Sequence, residues 1–196
     1  MIYDITQPLF ECAVFPGDTP PEKTVVRSMD RGDPYQLTDI RLCVHNGTHV
    51  DAPAHFIRGG ETVDRIGPGR FIGPAYVASH EGGLTAPDAE AILTRARGAG
   101  AGKKILIRGS AVVTADAARV FAAAGPDLIG CESQTFGPED SPEEVHVILL
   151  GAGVILLEGI RLDGVPDGKY LLNCAPLNLS GTEGAPCRAV LMTDGI

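Results

Sequence analysis

Three of the chain's five histidines fall within one short run, His45-Asn46-Gly47-Thr48-His49-Val50-Asp51-Ala52-Pro53-Ala54-His55. Imidazole and carboxylate are the ligand types that hold a borderline divalent ion such as zinc or manganese. His45, His49, Asp51 and His55 are all odd-numbered, so an extended chain would point them to one face. On a flat strand alternate side chains stay about 7 Å apart, too far for one ion. The run must therefore bend, and Asn46-Gly47 and Pro53 are the residues that would bend it. A helix is a poor alternative, because His49 and Asp51 would diverge and Pro53 would break it. Two further ligand types recur later in the chain. His146 sits one turn inside a predicted helix, and Glu158 closes the apolar run Val154-Ile155-Leu156-Leu157. A carboxylate there is costly to bury unless it is paired or bound to metal.

The elements that must position these residues read as two halves. The first third holds short extended pieces broken by Pro- and Gly-rich turns, with strands expected over 35–44 and 71–79. After about residue 84 helices and strands alternate, which predicts βα units. The first helix opens at Thr85 and stops at Gly98, followed by a strand over 104–108. The second spans 114–124 and ends at Gly125-Pro126, with a strand from Asp127. The third is predicted to start with a capping box, Ser141-Pro142-Glu143-Glu144, and to run to Leu150 with Gly151 as its stop. A turn at Gly151-Ala152-Gly153 returns the chain into a strand over 154–158, buried on both faces. His146 near the helix start and Glu158 at the strand end would then share one end of this unit. Late strands are expected over 169–173 and 188–193. No linker or repeat divides the sequence, so residues 1–196 read as a single domain.

The clustered run resembles the HxGTHxDxPxH signature of the metal-dependent cyclase-like hydrolase family, whose best-known members are the bacterial kynurenine formamidases. Phe15-Pro16-Gly17-Asp18-Thr19-Pro20 resembles that family's N-terminal segment, and His146 and Glu158 keep the separation of its two late ligands. Ala175-Pro176-Leu177 and 185–191 resemble its C-terminal strands. The resemblance implies a swivelling β/β/α fold within the α/β class, assembled as a homodimer or larger homo-oligomer. It implies two divalent ions, zinc or else manganese. His45, His49 and Asp51 would hold the first ion and His146 the second, with Asp51 and Glu158 bridging. It assigns proton transfer to His55 and substrate contact to the position of Phe15, which is Trp in the formamidases. Those enzymes also carry Asp-Thr-Pro-Ser where this chain reads Glu132-Ser133-Gln134-Thr135. The chemistry implied is hydrolysis of a small amide, with an N-formylkynurenine-type arylformamide first. A related hydrolase opening another amide, lactam or lactone, as isatin hydrolase does, stands second, and a non-enzymatic metal-binding module third. A Ser nucleophile is disfavoured, because the chain has no GxSxG elbow.

Composition narrows the remaining classes. With 44 % hydrophobic and 21 % charged residues the chain can build a core and does not read as disordered. The net charge is −9 and no Lys/Arg cluster stands out, which disfavours nucleic acid as a partner. The longest apolar run, 147–157, is well short of the roughly 18–20 residues of a membrane span. Asp4, Thr6, Gln7 and Pro8 interrupt any N-terminal signal segment. Five cysteines without a CxxC pair read as free thiols in a reducing cytoplasm. The 25 glycines and 15 prolines predict a loop-rich fold, with several of them placed around the ligand run.

Overall fold

A computed structural model describes residues 1–193. In chain order its elements are β1 (Ile2–Asp4), β2 (Glu22–Arg27), β3 (Leu37–Arg41), β4 (His49–Asp51), β5 (Ile72–Ser79), β6 (Gly82–Leu84), α1 (Ala86–Gly98), β7 (Lys104–Arg108), β8 (Ala111–Val113), α2 (Ala115–Ala124), β9 (Leu128–Cys131), α3 (Glu143–Gly151), β10 (Ile155–Glu158), β11 (Gly168–Asn173), β12 (Gly184–Pro186) and β13 (Val190–Met192). Short 3₁₀ turns punctuate the N-terminal half, one of them at Pro53–His55.

Nine strands form one sheet in the order β1-β13-β11-β5-β7-β9-β10-β4-β12. Its centre, β5-β7-β9-β10, is parallel, as βα units require. The flanks are antiparallel: β11, β13 and β1 on one side, β4 and β12 on the other. The pairs β2-β3 and β6-β8 make two small sheets of their own.

The central strands carry unbroken apolar stretches, 105–107 in β7 and 155–157 in β10, because both faces are covered there. In β7, Ile105 and Ile107 face the helices and pack with Ile92 and Leu93 of α1 and Phe121 of α2. Leu106, between them, packs on the opposite face with Val77, Leu128 and Leu157. This two-sided burial explains why the sequence shows short unbroken runs there instead of alternation.

The helix starts differ. Thr85 forms a capping box with Asp88, whose Oδ2 accepts the Thr85 N–H at 2.9 Å. Thr114 Oγ1 accepts from Ala117 N, and Gly125 closes α2 in the left-handed region at φ 63°. The capping box expected at Ser141 does not form. Pro142 stands at the cap position of α3, and the Ser141 hydroxyl turns to Asp140 instead. The stops of α1 and α3 also move: α1 includes Gly98 and its left-handed residue is Gly100 at φ 68°, while α3 includes Gly151 and its left-handed residue is Gly153 at φ 76°. Three-residue strands β1, β4, β6, β8 and β12 were not separable by pattern, because three residues carry too little periodicity to count. Among the described residues no helix is long and apolar enough to cross a membrane.

Candidate metal centre and active site

Strand register assembles the centre. In the antiparallel pair β4-β10, Glu158 stands opposite His49 and Leu156 opposite Asp51. Opposed residues share a face, so His49, Asp51 and Glu158 all project to the side where Leu156 packs against the helices. Val50, between the two ligand types, goes to the other face and into the core there. A slip of one residue would turn His49 and Asp51 into that apolar core. His146, on α3, meets Glu158 from above the sheet: its Nε2 lies 3.2 Å from Glu158 Oε1.

His45 and His55 reach the same place without belonging to the strand. Gly47, at φ 64°, turns the chain between His45 and His49, and the turn at Pro53–His55 folds His55 back. The rings of His45 and His55 lie 4.1 Å apart between centroids. Gly184 of β12 leaves room for His45: a Cβ there would stand 2.9 Å from its Cε1. Asn46, fully buried, fixes the loop by accepting the Cys43 N–H and donating to Thr19 O, which ties in the segment bearing Phe15.

The result is a buried polar cluster. His49, Asp51, His146 and Glu158 are at most 2 % exposed. His45 Nδ1 lies 2.9 Å from Asp51 Oδ1, His49 Nε2 3.4 Å from the same oxygen and 3.5 Å from Glu158 Oε2, and His146 Nε2 3.8 Å from Asp51 Oδ2. The far nitrogens are held by carbonyls: His49 Nδ1 donates to Gly47 O and His146 Nδ1 to Pro142 O, both at 2.9 Å. That arrangement fixes the tautomer and aims each Nε2 lone pair inward, as ligating histidines require. The Phe136 N–H donates to Glu158 Oε1 at 2.9 Å and orients that carboxylate.

Electrostatics follow from this crowding. Burial disfavours charge on His45, His49 and His146, but the carboxylates beside them win, and all three sit above the ordinary histidine value, His49 well above. Burial likewise disfavours charged Asp51, yet hydrogen bonds from His45 and His49 hold it well below the ordinary carboxylate value. His55 behaves oppositely. Burial lowers its pKa, and the attraction of Asp51 does not make this up.

Two groups of donors could hold divalent ions: His45, His49 and Asp51 in one, and Asp51, His146 and Glu158 in the other. Within each group one ligand atom per residue lies within 4.8 Å of the others, and Asp51 belongs to both. His45 Nε2 and Asp51 Oδ2 are buried without a hydrogen-bond partner. Such orphaned atoms among carboxylates and imidazoles fit a metal ion as the missing partner.

The cluster floors a cavity of ≈ 260 Å³ whose wall includes His55 and Phe15. All seven residues singled out from the sequence therefore meet at one place. The cavity also takes in Asp18, Phe56, Gln134 and Thr135, which sequence reasoning did not assign to the site. Asp18 was visible only as part of the resembling segment with Phe15. Gln134 and Thr135 were visible only as the departure from the formamidase run. Phe56 carried no signal beyond adjacency to His55; its ring lies 4.6 Å from His55 and 4.7 Å from His146.

Known proteins are similar to this chain in sequence and in fold. A kynurenine formamidase of Salinibacter ruber (strain DSM 13855 / M31) is 33 % identical, over 91 % of this chain and 91 % of that protein. A solved structure described as a potential metal-dependent hydrolase with cyclase activity superposes with a TM-score of 0.82 at 28 % identity, covering 97 % of this chain and 96 % of the other. Isatin hydrolase A of Labrenzia aggregata shares the fold at a TM-score of 0.82 and 23 % identity, covering 100 % of this chain and 94 % of that one. The model of the putative cyclase family matches residues 3–138, a span that holds the β4 strand, His45 and His55, and with that match the chain belongs to the putative cyclase family.

Proposed function

We propose that this protein is a metal-dependent hydrolase of a C–N amide bond in a small molecule, with an N-formyl arylamide such as N-formylkynurenine as the leading substrate. The observation that carries this reading is the pair of donor groups sharing Asp51 at the floor of a cavity that also holds His55 and Phe15. The kynurenine formamidase relative supports the bond type.

His45, His49 and Asp51 would hold one divalent ion, and Asp51, His146 and Glu158 a second. Zinc is the first expectation and manganese the alternative. When bound, such ions acidify water and polarise a carbonyl. His55 supplies the proton chemistry: burial lowers its pKa and so favours the neutral ring, which can take a proton from the attacking water and return it to the leaving nitrogen. Phe15 offers an apolar face to an aryl group, without the indole N–H of a Trp. Phe56 packs between His55 and His146 and steadies both rings.

A related activity on another small amide, lactam or lactone is the second reading. It is favoured by the absence of any Trp from the chain, since the formamidases place Trp at the position of Phe15. A purely structural metal module leaves His55 without a task at the cavity wall. We also infer that residues 1–196 act as one unit in the cytoplasm, and that the chain assembles as a homodimer or larger. The β2-β3 hairpin, which exposes Val25, Leu37 and Ile40, supports that assembly.

The test is direct. Purified protein is stripped, reloaded with zinc or manganese, its metal counted, and turnover of N-formylkynurenine compared with isatin and simple lactones. Fastest turnover of the formamide is expected. Turnover of isatin or lactones alone would replace the first reading with the second, and no turnover of any of them by metal-loaded protein would sink both.

A further inference from the structure

Among the described residues, buried side-chain polar atoms without a hydrogen-bond partner occur on His45, Asp51, Arg70 and Gln134. The first two belong to the metal cluster. Arg70 still donates through Nη2 to Asp127 O and Gly153 O. Gln134 is different, because both its Oε1 and its Nε2 are unpaired. Folded proteins leave few such atoms unmatched, and an unmatched carboxamide marks a place where a ligand or water completes the bonding.

The backbone that carries Gln134 is nevertheless held in place. Gly159 N donates to Ser133 O at 2.7 Å, and Phe136 N donates to Glu158 Oε1. These two bonds flank Gln134 and tie its segment to the end of β10, beside Glu158. A side chain at Gly159 would displace it: a Cβ there would stand 2.2 Å from Gln134 Nε2. Gln7 lies against the same glycine and shows the contrast. Its Nε2 donates to Gly159 O at 2.7 Å and its Oε1 accepts the Ala13 N–H at 3.0 Å, so Gln7 is structural. Gln134 lines the cavity that holds His55 and the metal cluster, and Gln7 does not.

We propose that Gln134 is a substrate-recognition residue: its carboxamide oxygen accepts the N–H of the bound amide. The substrate class is then a small amide with a free N–H. The matching ester or lactone places an oxygen lone pair against Oε1 and is selected against, because a buried polar group that a ligand leaves unpaired weakens its binding. This inference deepens the hydrolase reading of the cavity and rests on it.

Gln134→Met keeps the length of the side chain and removes both polar atoms. Formanilide and phenyl formate, which differ by N–H against O, are the probes for zinc-loaded protein. The variant is expected to lose about tenfold or more in kcat/KM on formanilide and less than about threefold on phenyl formate. Zinc content should hold, and Tm should stay equal or rise, because no satisfied bond is removed. Gln134→Asn, which withdraws the same atoms by one methylene, should show the same selective loss and serves if the Met variant misfolds. Equal losses on both probes, or none, would overturn the proposal. Calorimetric titration of formanilide separates the two readings. If wild type binds formanilide about tenfold tighter than Gln134→Met but turns over neither probe, the hydrolase reading alone fails. Equal affinities, or no binding to wild type, overturn the role of Gln134.

Discussion

The parallel core around β7 and the strand pair β4-β10 lie in the same sheet and are equally buried, yet they are filled in opposite ways. β7 sends Ile105, Leu106 and Ile107 into two apolar clusters. β4 sends His49 and Asp51 to the helix side, where Glu158 and His146 join them. In the first region burial is favourable by itself, at about 25 cal/mol per Å² of apolar surface. In the second, burial of four ionisable groups is costly, and their mutual hydrogen bonds offset that cost only in part. The fold thus separates a region that makes stability from one that uses it to hold donors close together. The two meet along β10, whose Ile155 and Leu157 belong to the core and whose Glu158 belongs to the centre.

Removing metal tests the contrast most severely. A strong chelator should abolish turnover, and zinc or manganese should restore it. Thermal unfolding should drop at the same time. Metal at a hundredfold excess over its Kd adds about 2.7 kcal/mol, or roughly 5–10 °C for a domain of this size. An unchanged Tm together with full activity would place the chemistry elsewhere.

His55→Ala should come next, with turnover falling about 10²–10⁴-fold while metal content and Tm stay near wild type. Retained activity would remove His55 from the proton path.

Acidity should divide the loaded and stripped forms. The raised pKa of His45, His49 and His146 means that the stripped protein carries stabilising protons there, fully so below the ordinary value of 6.5. That stabilisation is lost as pH rises through the raised values. His55, lowered, contributes in the opposite sense, but it is one group against three. The stripped protein should therefore lose Tm as pH climbs above 6.5. The loaded protein should gain over the same range, because metal displaces those protons and binds more tightly as they leave. Parallel Tm curves for the two forms would contradict this.

Leu106→Ala marks the small end for activity. A cavity in the core should cost about 2–5 kcal/mol of stability. The folded fraction should keep its kcat and its metal, since Leu106 touches the face opposite the centre. A matching fall in metal content would show that core and centre are coupled more closely than their separate faces imply.

Much of the molecule was legible from local chemistry. The start of α1 and both limits of α2 lay in Thr85, Thr114 and Gly125, because caps act within one turn. The odd-numbered run from His45 to His55 was legible because spacing and bend residues are local too. Where several local solutions compete, the sequence misled. At α3 the Ser141 hydroxyl had Asp140 as an alternative partner, and two closely spaced glycines offered a stop. The strand β4 was hidden within the ligand run, since His and Asp are weak strand formers and its pairing partners lie more than a hundred residues away.

The sequence by itself determined which side chains could bind metal and move protons, and that His146 and Glu158 would share one end of an αβ unit. Only the tertiary structure decided that His49 stands opposite Glu158, that Gly184 makes room for His45, and that Phe15 and Gln134 line the same cavity. The physical reason is range. Residue type, capping and period act over a few positions, whereas register and cavity walls come from long-range strand pairing, and that depends on how the whole sheet buries both its faces.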